Sequence, residues 1–323
     1  MKAIVITEKG GPEVLKMQDV ETQTPIGNQV LIKVRAAGVN RSDVMSRSNK
    51  SYGAATEGKE IPGLEVSGEI EATGPDVKRW KKGDLVCALV AGGGYATYIT
   101  VDERLCLPIP EGMSFEDAAA LPETIFTVWS NVFKTCGFKA GEHFLIHGGT
   151  SGIGVMAIQM IVAMGGKAYA TAGTKEKCDY CLQLGASLAI NYKTEDFVSI
   201  LKPIGIDVIL DMTGGDNTLK NIDILNKNGR LTFINAMTGT RSEIDIRQVM
   251  SKGIMITGSM LKPQTNDFKA ALAVQIEEVI WPLVKSGKIK PIVYKIFPLE
   301  QAANAQILME SSTHIGKIIL KTT

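Results

Sequence analysis

Two textures of hydrophobic and polar positions divide the chain. Up to Ser114, short β-rich runs predominate (Lys2 to Thr7, Gln29 to Ala37, Glu65 to Ala72, Leu85 to Leu89), each broken off by Gly, Pro or Asp. A single short helix is expected among them, over Arg41 to Ser48. From Phe115 to Phe133 the pattern is helical, and Trp129 and Phe133, at i and i+4, read as core packing on one face. Buried strands and helices then take turns. Strands are expected over His143–His147, Lys167–Thr171, Leu188–Asn191, Asp207–Asp211, Arg230–Ile234 and Ile254–Thr257, with helices over Gly154–Met164 and Glu176–Leu184. Such alternation predicts right-handed βαβ units and a parallel, doubly wound sheet. Beyond Pro263 a long helix, Asn266 to Lys285, leads to mixed segments that end in the strand-like Lys317-Ile318-Ile319-Leu320. Returning this tail to the N-terminal β part is the economical solution. The expectation is an α/β protein with a discontinuous, partly open β-barrel-like domain from residues 1–120 and 263–323, and a Rossmann domain over 121–262.

The strongest local signal is Leu145-Ile146-His147-Gly148-Gly149-Thr150-Ser151-Gly152-Ile153-Gly154-Val155-Met156-Ala157, an apolar strand, a glycine-rich turn and an apolar helix. Gly152-x-Gly154-x-x-Ala157 fits the dinucleotide fingerprint, with Gly152 for a tight turn, Gly154 leaving room for a pyrophosphate and Ala157 allowing close helix packing. The helix N-terminus offers N–H groups and a positive dipole end to phosphates. An NAD site usually carries Asp or Glu at the end of the second strand. Here that stretch is Ala170-Thr171-Ala172-Gly173-Thr174-Lys175-Glu176-Lys177, with no acid at the strand's end. Gly173 leaves space, Thr174 supplies a hydroxyl, and Lys175 or Lys177 can balance a 2′-phosphate, so NADPH is the expected cofactor. An ordinary helix start capped by Thr174 would look the same, and both readings can hold together.

Composition narrows the partners. A length of 323 residues allows about two domains, and 45% hydrophobic with 21% charged residues is ordinary for a globular protein. A formal charge of +1 gives nucleic acid or anionic membrane no electrostatic footing. The longest apolar stretch, Gly152 to Ala163, is broken by Gln159 and too short to span a bilayer. The start Met1-Lys2-Ala3-Ile4 runs directly into a strand-like pattern, and five cysteines suggest reduced thiols, so a cytoplasmic location is expected.

Taken together, Gly38-Val39-Asn40-Arg41-Ser42-Asp43, Pro62-Gly63-Leu64-Glu65, Gly83-Asp84-Leu85-Val86 and Gly92-Gly93-Gly94-Tyr95-Ala96 resemble the medium-chain dehydrogenase/reductase superfamily over the whole chain. Zinc members carry Cys where Asn40 stands and His where Leu64 stands, and the four-cysteine structural lobe is missing, so no metal is expected. Through Gly11-Pro12-Glu13-Val14-Leu15, the glycine turn, Asn191-Tyr192-Lys193-Thr194-Glu195-Asp196-Phe197 and Ile315-Gly316-Lys317-Ile318, the chain is similar to quinone oxidoreductases of the zeta-crystallin type, most of all their tumour-suppressor-inducible branch.

That resemblance implies a GroES-like catalytic domain beside the Rossmann domain, and NADPH-dependent reduction of a quinone. It assigns the turn residues Gly149, Ser151, Gly152, Ile153 and Gly154 to the cofactor; Gly173, Thr174, Lys177 and Tyr192 to its 2′-phosphate; Thr127, Asn40 and Met237 to the nicotinamide; and Lys317 to closure over the cofactor. Tyr52, Asn40 and Ser151 are expected to orient the acceptor. An enone or 2-enoyl thioester is a chemically allied acceptor, and an NADPH-binding structural or RNA-associated protein is the alternative of another class. A homodimer is implied, with the Ile254–Thr257 strand as a candidate edge.

Other signals have plainer explanations. Cys178-Asp179-Tyr180-Cys181 lacks a second pair and reads as two half-buried thiols. His147, before the turn, is expected to make a local hydrogen bond. The run Arg79-Trp80-Lys81-Lys82 precedes a Gly-Asp turn and is read as solvated.

Overall fold

The computed structural model describes residues 1–48 and 60–322. Its strands, in chain order, are β1 (Lys2–Ile6), β2 (Leu15–Asp19), β3 (Gln29–Val39), β4 (Glu65–Thr73), β5 (Leu85–Leu89), β6 (Tyr98–Asp102), β7 (Cys106–Pro108), β8 (His143–His147), β9 (Lys167–Ala172), β10 (Leu188–Asn191), β11 (Ile206–Asp211), β12 (Leu225–Phe233), β13 (Met255–Gly258), β14 (Val293–Pro298) and β15 (Lys317–Lys321). They belong to two units, one made of Met1–Phe126, Lys262–Lys285 and Pro291–Thr323, the other of Thr127–Leu261 and Ser286–Lys290.

The second unit is a Rossmann domain. Its sheet runs β10-β9-β8-β11-β12-β13 with every pairing parallel. That is the doubly wound order in which the first βα turn meets the topological switch point. Strands buried on both faces read as unbroken apolar runs; Phe144, Leu145 and Ile146 of β8 and Val208, Ile209 and Leu210 of β11 are fully buried. The polar interruption in the helix Gly152–Ala163 has a use. Gln159 donates to Lys290 O at 3.0 Å and accepts from Lys290 N at 2.9 Å, which fastens Ser286–Lys290 to this unit.

The first unit is GroES-like. Its larger sheet runs β14-β15-β3-β4-β5-β7, with β6 also on β3, and among the described residues the path does not close into a barrel. Apart from the parallel β14–β15 pair, its ladders are antiparallel. Both chain ends therefore build this unit, because β15 lies against β3.

Two expected helices are interrupted, each for a reason in the sequence. Phe115 to Phe133 divides into Phe115–Ala118, Pro122–Val128 and a π-helical stretch over Trp129–Thr135. Pro122 lacks an N–H and disfavours a helical residue before it. Asn266 to Lys285 breaks at Ile280, two residues before Pro282. The helix Ala302–Ser311 and strand β14 carry no clear periodic signal; in β14 only Phe297 is buried. Trp129 and Phe133 stack with centroids 5.0 Å apart, as their spacing suggests.

Candidate active site

In the Rossmann unit β8 delivers the chain into a turn at Gly148, whose φ of 75° is the left-handed conformation that a side chain rarely adopts. The tight-turn role expected of Gly152 thus falls to Gly148, and Gly152 is already the first residue of the helix Gly152–Ala163. Ser151 is the N-cap, its Oγ accepting from Gly154 N at 2.9 Å. That hydroxyl keeps its proton for donation. Gly154 is demanded by the chain itself, since a Cβ there would stand 2.3 Å from Gly148 O. A Cβ on Gly149 would stand 2.7 Å from both Ala170 Cβ and Cys181 Sγ. With Gly154 N capped, the N–H groups of Gly152 and Ile153 have no partner one turn back, as at any helix start. Glycine backbone of this shape, at a helix N-terminus, fits a pyrophosphate.

Beneath the turn lies a buried polar chain. Asn221 donates from Nδ2 to Asp211 Oδ2 at 3.0 Å, so its Oδ1 faces His147 Nε2 at 2.8 Å and makes that nitrogen the donor. Nδ1 then accepts from the Thr171 hydroxyl at 3.0 Å. Asp211 Oδ1 accepts from Thr213 N, Thr213 Oγ1 and Gly214 N, shaping the turn after β11. His147 has the local role expected of it, but Asp211 and Asn221 were not singled out by the sequence pattern.

At the end of β9, Thr174 Oγ1 accepts from Lys177 N at 3.2 Å and caps the helix Lys175–Gln183. A Cβ on Gly173 would meet Tyr192 Oη at 2.8 Å and Lys193 Cε at 3.4 Å, so this glycine opens the space that those side chains border. Tyr192 is 56% exposed. Burial holds the Lys177 ammonium below its ordinary pKa, and the neighbouring charge of Lys193 adds to the shift, against Glu176. Lys193 is a member of this cluster that sequence reasoning missed.

Thr127 is buried, and its carbonyl accepts from Ser130 Oγ at 3.2 Å and Asn131 Nδ2 at 2.9 Å. Asn131 Oδ1 in turn accepts from Thr232 and Ser259 hydroxyls. Met237 is half exposed, and its N–H donates to Met212 O at 3.2 Å. Cys178 and Cys181 are more deeply buried than half, and burial pushes the Cys181 thiol up to about 12. They lack the lowered pKa of a reactive pair.

In the GroES-like unit Asn40 caps the helix Arg41–Arg47 through a capping box with Asp43. Its Nδ2 donates to Glu65 Oε1 at 3.1 Å, and its Oδ1 accepts from Lys317 Nζ at 2.7 Å. Lys317 is 3% exposed and also donates to Val39 O at 3.0 Å and pairs with Glu65 Oε1 at 2.5 Å. The structure therefore gathers half-buried Asn40 with buried Glu65 and Lys317 into one network. Tyr52 lies outside the described residues. No group of three or more His, Cys, Asp or Glu side chains suited to a metal occurs among the described residues.

Asp43 is fully buried, and its carboxylate accepts from Asn40 N at 2.8 Å, Gly63 N at 3.0 Å and Tyr95 Oη at 2.9 Å. Burial outweighs these donors and the Lys317 charge, raising its pKa from 3.8 to about 6. The folded state binds this proton more tightly than the unfolded chain. The contribution is complete below pH 4 and is lost as pH rises through about 6, a difference of roughly 3 kcal/mol. Urea unfolding of wild type and Asp43→Asn at pH 4.5 and 7 should show this slope in wild type alone; parallel slopes would contradict the assignment.

The basic run also resolves. Arg79 pairs with Glu277, Lys81 with Asp84 and Lys82 with Glu71, at 2.6, 2.8 and 2.6 Å. These pairs lie at the surface.

A Rossmann unit with a glycine cradle, joined in one chain to a discontinuous GroES-like unit, defines a medium-chain dehydrogenase/reductase. Residues 27–111 match the alcohol dehydrogenase GroES-like domain family, and 184–320 match the zinc-binding dehydrogenase family. Quinone oxidoreductase of Rattus norvegicus is 35% identical over 330 residues, covering 99% of this chain and 97% of the relative. That of Sus scrofa is 36% identical over 329 residues, with the same coverage. Escherichia coli quinone oxidoreductase complexed with NADPH superposes with a TM-score of 0.90 at 28% identity, covering 99% of this chain and 100% of that one. CurK enoyl reductase reaches 0.85 at 25%, covering 100% and 99%. The chain belongs to the quinone oxidoreductase family of medium-chain dehydrogenase/reductases.

Proposed function

We propose that the protein is a zinc-independent NADPH:quinone reductase, cytoplasmic and homodimeric. The observation that carries the cofactor is the end of β9, where Gly173 opens a space bordered by Tyr192 and Lys193, with Lys177 beside it and no carboxylate at the strand's end. The E. coli relative solved with NADPH supports the same reading. Gly149, Ser151, Gly152, Ile153 and Gly154 would hold the pyrophosphate, Gly173, Thr174, Lys177 and Tyr192 the 2′-phosphate, and Thr127 and Met237 the nicotinamide end. NADPH, when bound, supplies a hydride.

Reduction of a quinone needs little acid catalysis, because the product anion is an aromatic phenolate with its charge delocalised. The protein's share is to orient the acceptor and exclude water. Asn40 and the Ser151 hydroxyl are suited to hydrogen-bond an acceptor oxygen, and Tyr52 is assigned the same duty by the family resemblance. Single replacements of these three should each cost less than about 10⁴-fold in rate, the ceiling for a positioned acid–base group. An enone or 2-enoyl thioester suits the same donors, and the enoyl reductase neighbour favours keeping that reading second.

Steady-state oxidation of NADPH with an ortho-quinone, a para-quinone and a simple enone tests the acceptor. Quinone turnover at least about tenfold above the enone in kcat/KM is the expected result; turnover of the enone alone would replace the assignment.

For the dimer, β13 is the edge of the six-stranded sheet, and it leaves Met255 and Ile256 exposed, with Met250 and Met260 nearby in sequence. Apolar edges of this kind invite strand pairing. Sedimentation should give twice the chain mass for wild type and a shift to monomer for Ile256→Lys; a monomeric wild type would contradict the proposal. Among the described residues no helix is long and apolar enough to cross a membrane.

A further inference from the structure

We infer that Glu65 and Lys317 are positioning residues for Asn40, holding its amide in the one orientation that offers a hydrogen-bond donor to the carbonyl oxygen of the acceptor. The inference rests on the quinone or enone reading above.

The chemistry of the partners fixes the amide. A lysine ammonium only donates and a carboxylate only accepts. Lys317 Nζ lies 2.7 Å from one Asn40 terminus and Glu65 Oε1 lies 3.1 Å from the other. The first terminus must be Oδ1 and the second Nδ2, and a flipped amide would face two like partners. With Oδ1 turned to Lys317 and one Nδ2 proton to Glu65, the donor that Asn40 has left for a ligand is its second Nδ2 proton. That proton is held only by a 3.5 Å contact to Gly38 O, at the outer limit of a hydrogen bond.

The fold is built around this arrangement. A Cβ on Gly38 would stand 2.2 Å from Glu65 Oε1, so β3 gives up a side chain to seat the carboxylate. Glu65 Oε2 accepts from Glu123 N at 2.9 Å, at the start of the helix Pro122–Val128, which fixes the second oxygen. Lys317 Nζ donates to Val39 O and Asn40 Oδ1 and forms an ion pair with Glu65 Oε1 at 2.5 Å, so its charge is balanced inside the network.

The arrangement serves hydride addition directly. When the acceptor's ring or β-carbon gains a hydride, negative charge collects on its carbonyl oxygen. A donor fixed beforehand stabilises that charge without reorganising. The Lys317 charge against Oδ1 also polarises the amide and strengthens its N–H donors.

The test is a cycle among Asn40→Ala, the paired variant Glu65→Gln/Lys317→Met, and all three changes together. The paired variant removes both charges at once and leaves neither buried alone, which keeps it foldable where Lys317→Met by itself is at risk. Asn40→Ala should lower kcat/KM for the acceptor about 20-fold and the paired variant about tenfold, and the triple variant should lose no more than about 30-fold. NADPH affinity, from fluorescence titration, should stay within about twofold of wild type throughout, a readout that loss of a cofactor contact would move. Losses that multiply to about 200-fold, or an NADPH affinity at least about tenfold weaker in the paired variant, would overturn the inference. A wild type that turns over neither quinone nor enone would overturn the functional reading and this inference together. Wild-type turnover with multiplying losses would overturn the inference alone.

Discussion

Lys177→Ala is expected to raise KM for NADPH about 30-fold and to leave NADH turnover within about twofold of wild type. The factor follows from losing one charge-assisted hydrogen bond to a phosphate, about 2 kcal/mol. Burial and the Lys193 charge already hold the Lys177 ammonium below its ordinary pKa. Those are the conditions under which an arriving dianion is most welcome, because it relieves the repulsion between the two lysines. NADH carries no 2′-phosphate and should not register the change. Equal losses with both cofactors, read from steady-state kinetics, would show that Lys177 supports the fold of the β9 end rather than the phosphate.

Gly154→Ala should weaken NADPH binding by about 100-fold or more, with a stability loss of about 1–3 kcal/mol. The added Cβ would lie 2.3 Å from Gly148 O and 2.6 Å from Gly149 C, both backbone atoms, so the turn itself must shift. A displaced turn moves the amides proposed to meet the pyrophosphate. Titration of cofactor fluorescence checks the first figure and urea unfolding the second. Wild-type affinity in this variant would remove the glycine turn from the cofactor site.

How much of this was legible in the chain depended on whether the signal was local. The parallel sheet was legible because strands buried on both faces, such as Phe144 to Ile146, are written as unbroken apolar runs. Strand β14 was not, because it is largely exposed and has no alternating face. The candidate phosphate end could be named from sequence because the residues just after β9 are a glycine, a hydroxyl and lysines, with no acid. Lys193 escaped notice because parallel pairing brings it there, Asn191 of β10 lying opposite Ala172 of β9. The Asn40, Glu65 and Lys317 network was hidden for the same reason. Those residues are far apart in sequence, and meet only because β4 and β15 flank β3. Asn40 and Lys317 could be named from family resemblance, but their contact to each other and to Glu65 is a property of sheet order.

The glycine turn shows a subtler limit. Its position was plain from the sequence, yet the left-handed residue is Gly148 rather than Gly152. A fingerprint records spacing, and several backbone paths satisfy the same spacing. The need for Gly154 likewise comes first from Gly148 O, a contact within the protein.

The protein is proposed to pass reducing equivalents from NADPH, in preference to NADH, to a quinone. Quinone-dependent oxidation of each cofactor at one fixed enzyme concentration tests it most directly. A kcat/KM for NADPH at least about 100-fold above that for NADH is expected if Lys177, Lys193, Thr174 and Tyr192 hold the 2′-phosphate as proposed. Equal use of the two cofactors, or NADPH binding with no quinone-dependent oxidation, would contradict it.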